Sequence, residues 1–200
     1  MPVSEVSICN QALSWLAGAQ ITSLNDDSRE ANLCLANYSN LRDAVMETTS
    51  WTFALARDIL TPETDTPAFG YNYQFTIPAD CLRLLSVRQG VDESDKVPWE
   101  REGNLILCDV ESVYIQYIKR VTDPVQFSMA FTQALSARIA MEISVPLTES
   151  RQMQSDMAGL YDKKLSEAQN LDSQQGRAQK IRSSGLRDVR NVAHSRQSIR

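Results

Sequence analysis

The feature that most constrains the fold is a change of hydrophobic period, which happens twice along the chain. Before about residue 50 and after about residue 122, apolar residues recur every three or four positions, as on one face of an α-helix. Between these segments, apolar and polar residues alternate in short runs divided by turn-forming residues, a pattern typical of half-buried strands. Helical ends around a β-rich middle predict an α+β fold.

Two helices are predicted before residue 50. The first spans residues 4–17, with Ser4 as its N-cap and Gly18 directly after its end. The second is expected to have Asp27 as its N-cap and to run to about Thr48. Each helix has one apolar stripe, so each needs a packing partner to bury it.

Residues 51–121 are predicted to form a small, mostly antiparallel β unit. The clearest strand signal is at 71–77, where large apolar residues alternate with asparagine, glutamine and threonine. Stretches rich in proline and glycine separate this run from its neighbours. The other predicted strands are 51–55, 82–87, 104–110 and 112–118.

Two further helices are predicted after residue 122. Asp123 is expected to cap the first, with Pro124 at its first position, and Pro146 is expected to end it. Thr148 is expected to cap the second, whose helical period fades after Leu171. The two helix pairs would most economically pack as one antiparallel bundle from which the β unit projects. The predicted domains are a first bundle half at 1–50, an inserted β domain at 51–121, a second bundle half at 122–171 and an extended tail at 172–200.

Charge is unevenly distributed along the chain. The whole sequence carries a formal net charge of −5, but residues 172–200 hold seven basic and two acidic residues, which gives +5. The remaining 171 residues therefore carry −10.

A basic segment without aromatic residues is typical of an interaction tail, and we expect it to be disordered in the free chain. Its target would be an acidic protein surface or nucleic acid phosphates, and a merely solvated tail is the third possibility. The predicted partner-binding residues are Arg177, Lys180, Arg182, Arg187, Arg190, Arg196 and Arg200.

The sequence offers little for catalysis or metal binding. The one histidine, His194, falls in the predicted tail, and the four cysteines are too widely spaced for a zinc site. We interpret Cys9, Cys34 and Cys108 as buried reduced thiols, because they occur in apolar segments. No nucleotide-binding loop or metalloprotease motif is present. We predict no enzymatic activity and no cofactor, although 25 acidic residues leave a pair of hydrolase carboxylates open.

Trp99 and Arg101 lie close to a predicted hairpin turn, where a large aromatic stands among charges. A tryptophan at the tip of a sheet can anchor a protein partner. More often it folds back over the edge of its own sheet. We predict both residues as partner-binding and keep the second interpretation as the alternative.

Membrane insertion is not predicted. The longest apolar runs are far shorter than the roughly 20 residues that a spanning helix needs. The N-terminal residues lack the basic and then apolar pattern of a signal peptide. We expect synthesis and assembly in the cytoplasm.

Several short phrases occur in a characteristic order between residues 10 and 150. They are the sequences at 10–13, 21–26, 36–38, 41–43, 50–54, 73–82 and 146–150. In their order, and in the order of helices and strands, they resemble the head-to-tail adaptors of short-tailed phages, the family of tail tubular protein A. The resemblance covers about residues 1–170.

The resemblance implies a helical bundle with a β domain that assembles as a twelve-fold ring in the virion, beneath the portal. The bundle side would contact the portal protein. The β side, with Trp99 and Arg101, would face the tail nozzle protein, and genome DNA would pass through the centre without specific binding. Two alternatives remain: a nucleic-acid-binding protein that uses its basic tail, and a tail-associated polysaccharide hydrolase.

Overall fold

The predicted α+β class is confirmed in a computed structural model, which describes residues 3–92 and 95–175. In that part of the chain there are four α-helices and two small antiparallel sheets. No helix among these residues is both long and apolar enough to cross a membrane. The elements are α1 (Glu5–Trp15), α2 (Arg29–Thr48), β1 (Leu55–Leu60), β2 (Tyr73–Thr76), β3 (Cys81–Arg88), β4 (Glu100–Glu102), β5 (Leu105–Cys108), β6 (Val113–Lys119), α3 (Met129–Thr148) and α4 (Arg151–Gln175), with short 3-10 helices at Thr52–Ala54 and Pro124–Gln126.

Helix α1 begins at its predicted cap. The hydroxyl of Ser4 accepts a hydrogen bond from the Ser7 amide, and the hydroxyl of Ser7 accepts one from the Ser4 amide. This reciprocal arrangement is a capping box built from two serines. At the other end Ala17 adopts the left-handed conformation, with φ of 54°, and the Gly18 amide donates to the Leu13 carbonyl.

The other three helices are each capped by a serine instead of the residue that the sequence predicted. Ser28, Ser128 and Ser150 begin α2, α3 and α4, and each hydroxyl accepts from the amide three residues on at 3.2 Å. Serine, threonine and aspartate are almost equally good N-caps, so a nearby competitor displaces the predicted start by a few residues. The predictions of Asp27, Asp123 and Thr148 as the N-caps of α2, α3 and α4 are therefore wrong. Asp123 instead caps the short 3-10 helix that precedes α3.

Pro146 does not end α3, as the sequence predicted. The helix continues to Thr148, where Glu149 adopts a left-handed conformation and its amide donates to the Val145 carbonyl at 2.9 Å. A proline within the last turn removes only one helical hydrogen bond. The Pro146 carbonyl accepts a hydrogen bond from the Arg29 guanidinium, which joins the end of α3 to the start of α2.

Helix α4 ends four residues later than predicted, at Gln175. Asp172, which the sequence assigned to the tail, is only 5% exposed. Its carboxylate accepts hydrogen bonds from the Thr52 amide at 3.0 Å and from the Thr52 hydroxyl at 2.8 Å. Nearby, the Gln169 amide donates to the Thr49 hydroxyl at 2.9 Å. The last turns of α4 are therefore attached to the segment that leads from α2 into β1.

The strands form two three-stranded sheets. The first sheet has the order β1-β6-β3 and the second has the order β2-β5-β4, with antiparallel pairing throughout. The strand predicted at 51–55 is wrong, because a 3-10 helix occupies its centre and β1 begins only at Leu55. The short edge strand β4 was not predicted. The other four predicted strands are confirmed, with ends shifted by one or two residues.

Strand β6 contributes to both hydrophobic cores of the structure. One core lies where α3 packs against α1, α2 and α4, and the other lies between the two sheets. Ile118 is buried in the first core, and its neighbour Tyr117 is buried in the second. Burial raises the pKa of Tyr117 to about 12, so its hydroxyl is neutral at physiological pH. The same strand thus connects the helices to the sheets.

Four aromatic rings pack where the helices meet the first sheet. Trp51, Phe53, Phe127 and Phe131 contact one another with ring centroids 5.0 to 6.3 Å apart, within the range of favourable aromatic pairs. The Trp51 indole N–H donates to the Val45 carbonyl at 3.0 Å, so the buried ring leaves no polar atom without a partner. We call these four rings the aromatic junction.

Replacing Trp51 by alanine should lower the free energy of unfolding by about 3–5 kcal/mol, because it opens a cavity in the aromatic junction. Phe69→Ala is the matched control, since the Phe69 ring is 88% exposed, and it should change stability by less than about 0.5 kcal/mol. Urea unfolding followed by circular dichroism measures both values. Similar losses in the two variants would contradict the role of the junction.

Asp172→Ala should destabilise the protein by about 1–3 kcal/mol, because the Thr52 amide and hydroxyl lose their acceptor in a part-buried position. Asp162→Ala on the exposed side of the same helix is the control and should have little effect. Thermal melting of both variants tests the prediction, and equal melting temperatures would show that Asp172 does not hold the end of α4.

Candidate functional site

The structure places the site residues predicted from the sequence in two different settings. The seven basic residues of the tail lie outside the described residues, so their role stays a prediction. Trp99 is half-buried and packs against the core between the sheets. Arg101 is exposed on β4, and its Nε donates to the Gly103 carbonyl at 3.1 Å.

Trp99 and Arg101 both lie at the edge of the second sheet. Arg101 pairs with Ile106, which in turn pairs with Phe75, so the arginine shares the inner face of the sheet with two core residues. Inward-facing charge on a short edge strand hinders pairing with another chain. Trp99 has the position of a lid over its own core, the commoner of its two interpretations, and binding by the exposed part of its ring stays a prediction.

A groove that the sequence did not predict lies on the outer face of the first sheet. In the strand register, Arg57 of β1 and Ser86 of β3 flank Gln116 of β6. The next residues on the same face, two positions along each strand and further from the helices, form a second row across the sheet. In this row Arg88 lies opposite Tyr114. Directly opposed residues in antiparallel strands project from the same face, so these side chains share one surface. We call this surface the arginine groove; it encloses about 350 Å³, and its lining includes Arg57, Ser86, Arg88, Val91, Tyr114 and Gln116.

The groove is open because the first sheet extends beyond the helices. The row nearest the helices contains Leu55, Ile118 and Arg83, and Ile118 is buried by the helical core. Gln116 and Tyr114 precede Ile118 on β6, further from the helices, and are half-buried, while Arg57 and Ile59 beside them are exposed. The opposite face of the same strands packs on the second sheet, which leaves this outer face as the accessible side.

Several polar groups in and beside the arginine groove have no hydrogen-bond partner among the described residues. The Nε atom of Arg88 and the hydroxyl of Ser86 are buried without a hydrogen bond, as is the Nε atom of Arg83 in the adjoining row. A buried donor without a partner costs about 1–3 kcal/mol, so such groups usually bind water or a ligand. Within residues 3–92 and 95–175, the ion pairs involve neither these arginines nor Arg57. The arginine groove is therefore a donor-rich, positively charged surface.

Two basic side chains near the helices form ion pairs with carboxylates, unlike the arginines of the arginine groove. Arg120 contacts Asp43 at 2.7 Å, and Lys119 contacts Asp80 at 3.4 Å. They line a smaller cavity of about 220 Å³ beside Phe53. The Asp43 carboxylate also accepts from Arg42, and it links α2 to the end of β6. This cavity is part of the connection between helices and sheet.

The four cysteines are free thiols, and the predicted burial of Cys9, Cys34 and Cys108 is confirmed, whereas Cys81 is half-buried. Hydrogen bonding between the Cys9 and Cys34 side chains, on α1 and α2, raises the pKa of Cys9 and lowers that of Cys34. Burial raises the pKa of Cys81 and of Cys108. No cluster of three metal-ligating side chains occurs in the described part of the chain.

No protein-family model and no curated protein matches this chain. The resemblance to phage adaptors consequently depends on the ordered phrases in the sequence.

Cys81 should be the first of the four thiols to react with a thiol reagent in the folded protein, because the other three are buried. Its raised pKa should make the reaction slow at pH 7 and faster at pH 9. Cys81→Ser should remove the fast phase of reaction with DTNB, and Cys108→Ser should leave it unchanged. A fast phase that persists in Cys81→Ser would contradict the burial of the other cysteines.

Proposed function

We propose that this chain is a non-catalytic head-to-tail adaptor of a phage virion. In this proposal a ring of copies joins the portal to the tail nozzle and lets the genome pass. The observation that carries the proposal is that the chain has two hydrophobic cores, one among the helices and one between the sheets, which share strand β6. A connector needs two different surfaces held at a fixed distance, and this arrangement provides them. The resemblance to the phage adaptor family agrees with this function.

The proposal treats the four helices as one antiparallel bundle that faces the portal. Three contacts support it. The start of α3 packs on the aromatic junction through Phe131, and its end is joined to Arg29 at the start of α2. Helix α4 then returns from Ser150 to the junction, where Asp172 binds Thr52. Helices α2 and α4 would thus both run opposite to α3.

The sheet end carries large apolar side chains that are exposed to solvent. Phe69 is 88% exposed, Val91 is 84% exposed and Ile59 is 57% exposed. All three lie in β1 or in the loops that follow β1 and β3. Exposed apolar groups rimmed by polar residues favour contact with another protein, and in this proposal that protein is the tail nozzle.

The charge distribution supports assembly through the C-terminal residues. Residues 176–200 hold seven basic and one acidic residue, a net charge of +6, which leaves −11 on residues 1–175. In the proposed assembly this basic segment binds the acidic body of a neighbouring copy or the portal protein. A ring of such acidic bodies would repel phosphates and so reduce adhesion of DNA during passage.

Mixing the purified chain with the portal protein of the same virus should produce rings of about twelve copies on each portal, visible by negative-stain electron microscopy and native mass spectrometry. A variant that ends at Gln175 should retain its fold, because it keeps Asp172, but it should attach to the portal more weakly. Absence of any complex between the full chain and the portal would overturn the proposal. Equally strong attachment of the shortened chain to the portal would show that the C-terminal segment has no role in this contact.

A mobility-shift assay with duplex DNA at physiological salt distinguishes the adaptor function from the alternative that the chain binds nucleic acid. An adaptor that lets DNA pass should bind it poorly. Tight binding that disappears on removal of residues 176–200 would favour the alternative. The hydrolase alternative requires two carboxylates in one cleft, whereas the described residues that line the two cavities include one carboxylate, that of Asp123.

A further inference from the structure

We propose that the arginine groove binds an extended acidic segment of a protein, with carboxylates on Arg57 and Arg88 and an aliphatic side chain at the next position on the same face of the segment. The polar side chains of the lining are two arginines, a serine, a tyrosine and a glutamine, all of which can donate hydrogen bonds. Among the described residues, no carboxylate lines the groove. Such a donor set selects a ligand rich in anionic acceptor oxygens, and the arginine fork matches a carboxylate or a phosphate.

The dimensions of the arginine groove fit a single extended chain. Arg57 and Ser86 belong to strands on either side of β6, so their Cα atoms are about 10 Å apart. Along the strands, the rows of Gln116 and Tyr114 are separated by two residues, about 7 Å. Alternate side chains of an extended peptide repeat at the same distance. For a peptide that lies along β6, between the two arginines, a carboxylate that reaches Arg57 from one side would therefore place the carboxylate two residues on level with Arg88 on the other side.

The unpartnered atoms indicate where the ligand would bind most closely. The Arg88 Nε and the Ser86 hydroxyl are buried within the groove and have no acceptor among the described residues. A carboxylate bound between them would provide an acceptor for both. Charge-assisted hydrogen bonds of this kind are shorter and stronger than those between neutral groups. The position of Ser86 beside Arg88 thus adds to the preference for an acidic side chain over an amide.

Apolar surface around the groove favours a peptide over nucleic acid. Ile59 lies opposite Tyr114 on the same sheet face, and Val91 lines the groove, yet both are largely exposed. Aliphatic side chains of a peptide would cover this surface, whereas a sugar–phosphate backbone would leave it in contact with water. The net charge of −11 on residues 1–175 also opposes the approach of a polyanion as long as DNA. The inference does not depend on the adaptor function.

A fluorescein-labelled peptide of sequence Ser-Glu-Ser-Glu-Ser-Val, which in an extended conformation presents two glutamates and a valine on one face, tests the proposal by fluorescence anisotropy with the full chain. The double variant Arg57→Gln, Arg88→Gln should weaken binding by about tenfold or more, because each substitution removes a charge-assisted pair. Arg151→Gln is the matched control, an exposed arginine on helix α4 with no assigned binding role, and should change binding less than about twofold. The basic C-terminal residues are present in every variant, so their contribution is the same throughout. Melting curves of the variants verify that the sheet is folded.

Two further probes decide the chemistry of the ligand. The peptide with glutamine in place of glutamate should bind at least about tenfold more weakly to the wild-type chain. Self-association that is lost in the double variant, measured by analytical ultracentrifugation, would support the proposal and identify a second copy as the source of the acidic segment. Unchanged peptide binding by the double variant would overturn it. An oligothymidine of twelve nucleotides that binds the wild-type chain more tightly than the glutamate peptide, and that loses this binding in the double variant, would also overturn the proposal. The groove would then be assigned to nucleic acid.

Discussion

The arrangement of the described residues depends on four aromatic rings that pack in the helical core, to which Ile118 of the shared strand β6 also belongs. Trp51 and Phe53 come from the segment after α2, and Phe127 and Phe131 from the segment around the start of α3. The rings therefore join the entrance and the exit of the sheet unit to each other. Because β6 leads directly into this cluster through Ile118, the helices and the first sheet meet at one buried surface. Everything beyond that surface, including the arginine groove, is positioned by it.

Much of the fold follows from local sequence signals, and the errors are instructive. The helices and four of the strands were predicted because their hydrophobic period is strong over a whole element. Helix starts were less reliable, because Ser28, Ser128 and Ser150 each compete with a similar polar residue nearby. The strand predicted around Trp51 was wrong for a different reason. Its apolar residues serve the aromatic junction, and burial by other elements outweighs local β propensity.

The arginine groove shows what the sequence could not provide. Arg57 and Arg88 are 31 positions apart, and they share a surface only because β6 lies between β1 and β3 in the sheet. That strand order is a property of long-range pairing and leaves no local signal. The face on which Ser86 and Arg88 lie also depends on an irregular register after Leu84, since one extra residue reverses the side-chain direction. In contrast, the seven basic residues of the predicted tail are recognisable from composition alone.

The alternation of Tyr117 and Ile118 on β6 has a mechanical consequence. The two side chains are consecutive, yet each belongs to a different core, so no linker separates the sheet unit from the helices. A force applied to the sheet end would pass through the backbone of β6 and the aromatic junction to α3 without a compliant segment in between. We therefore expect a displacement of the sheet end to move the helices as well.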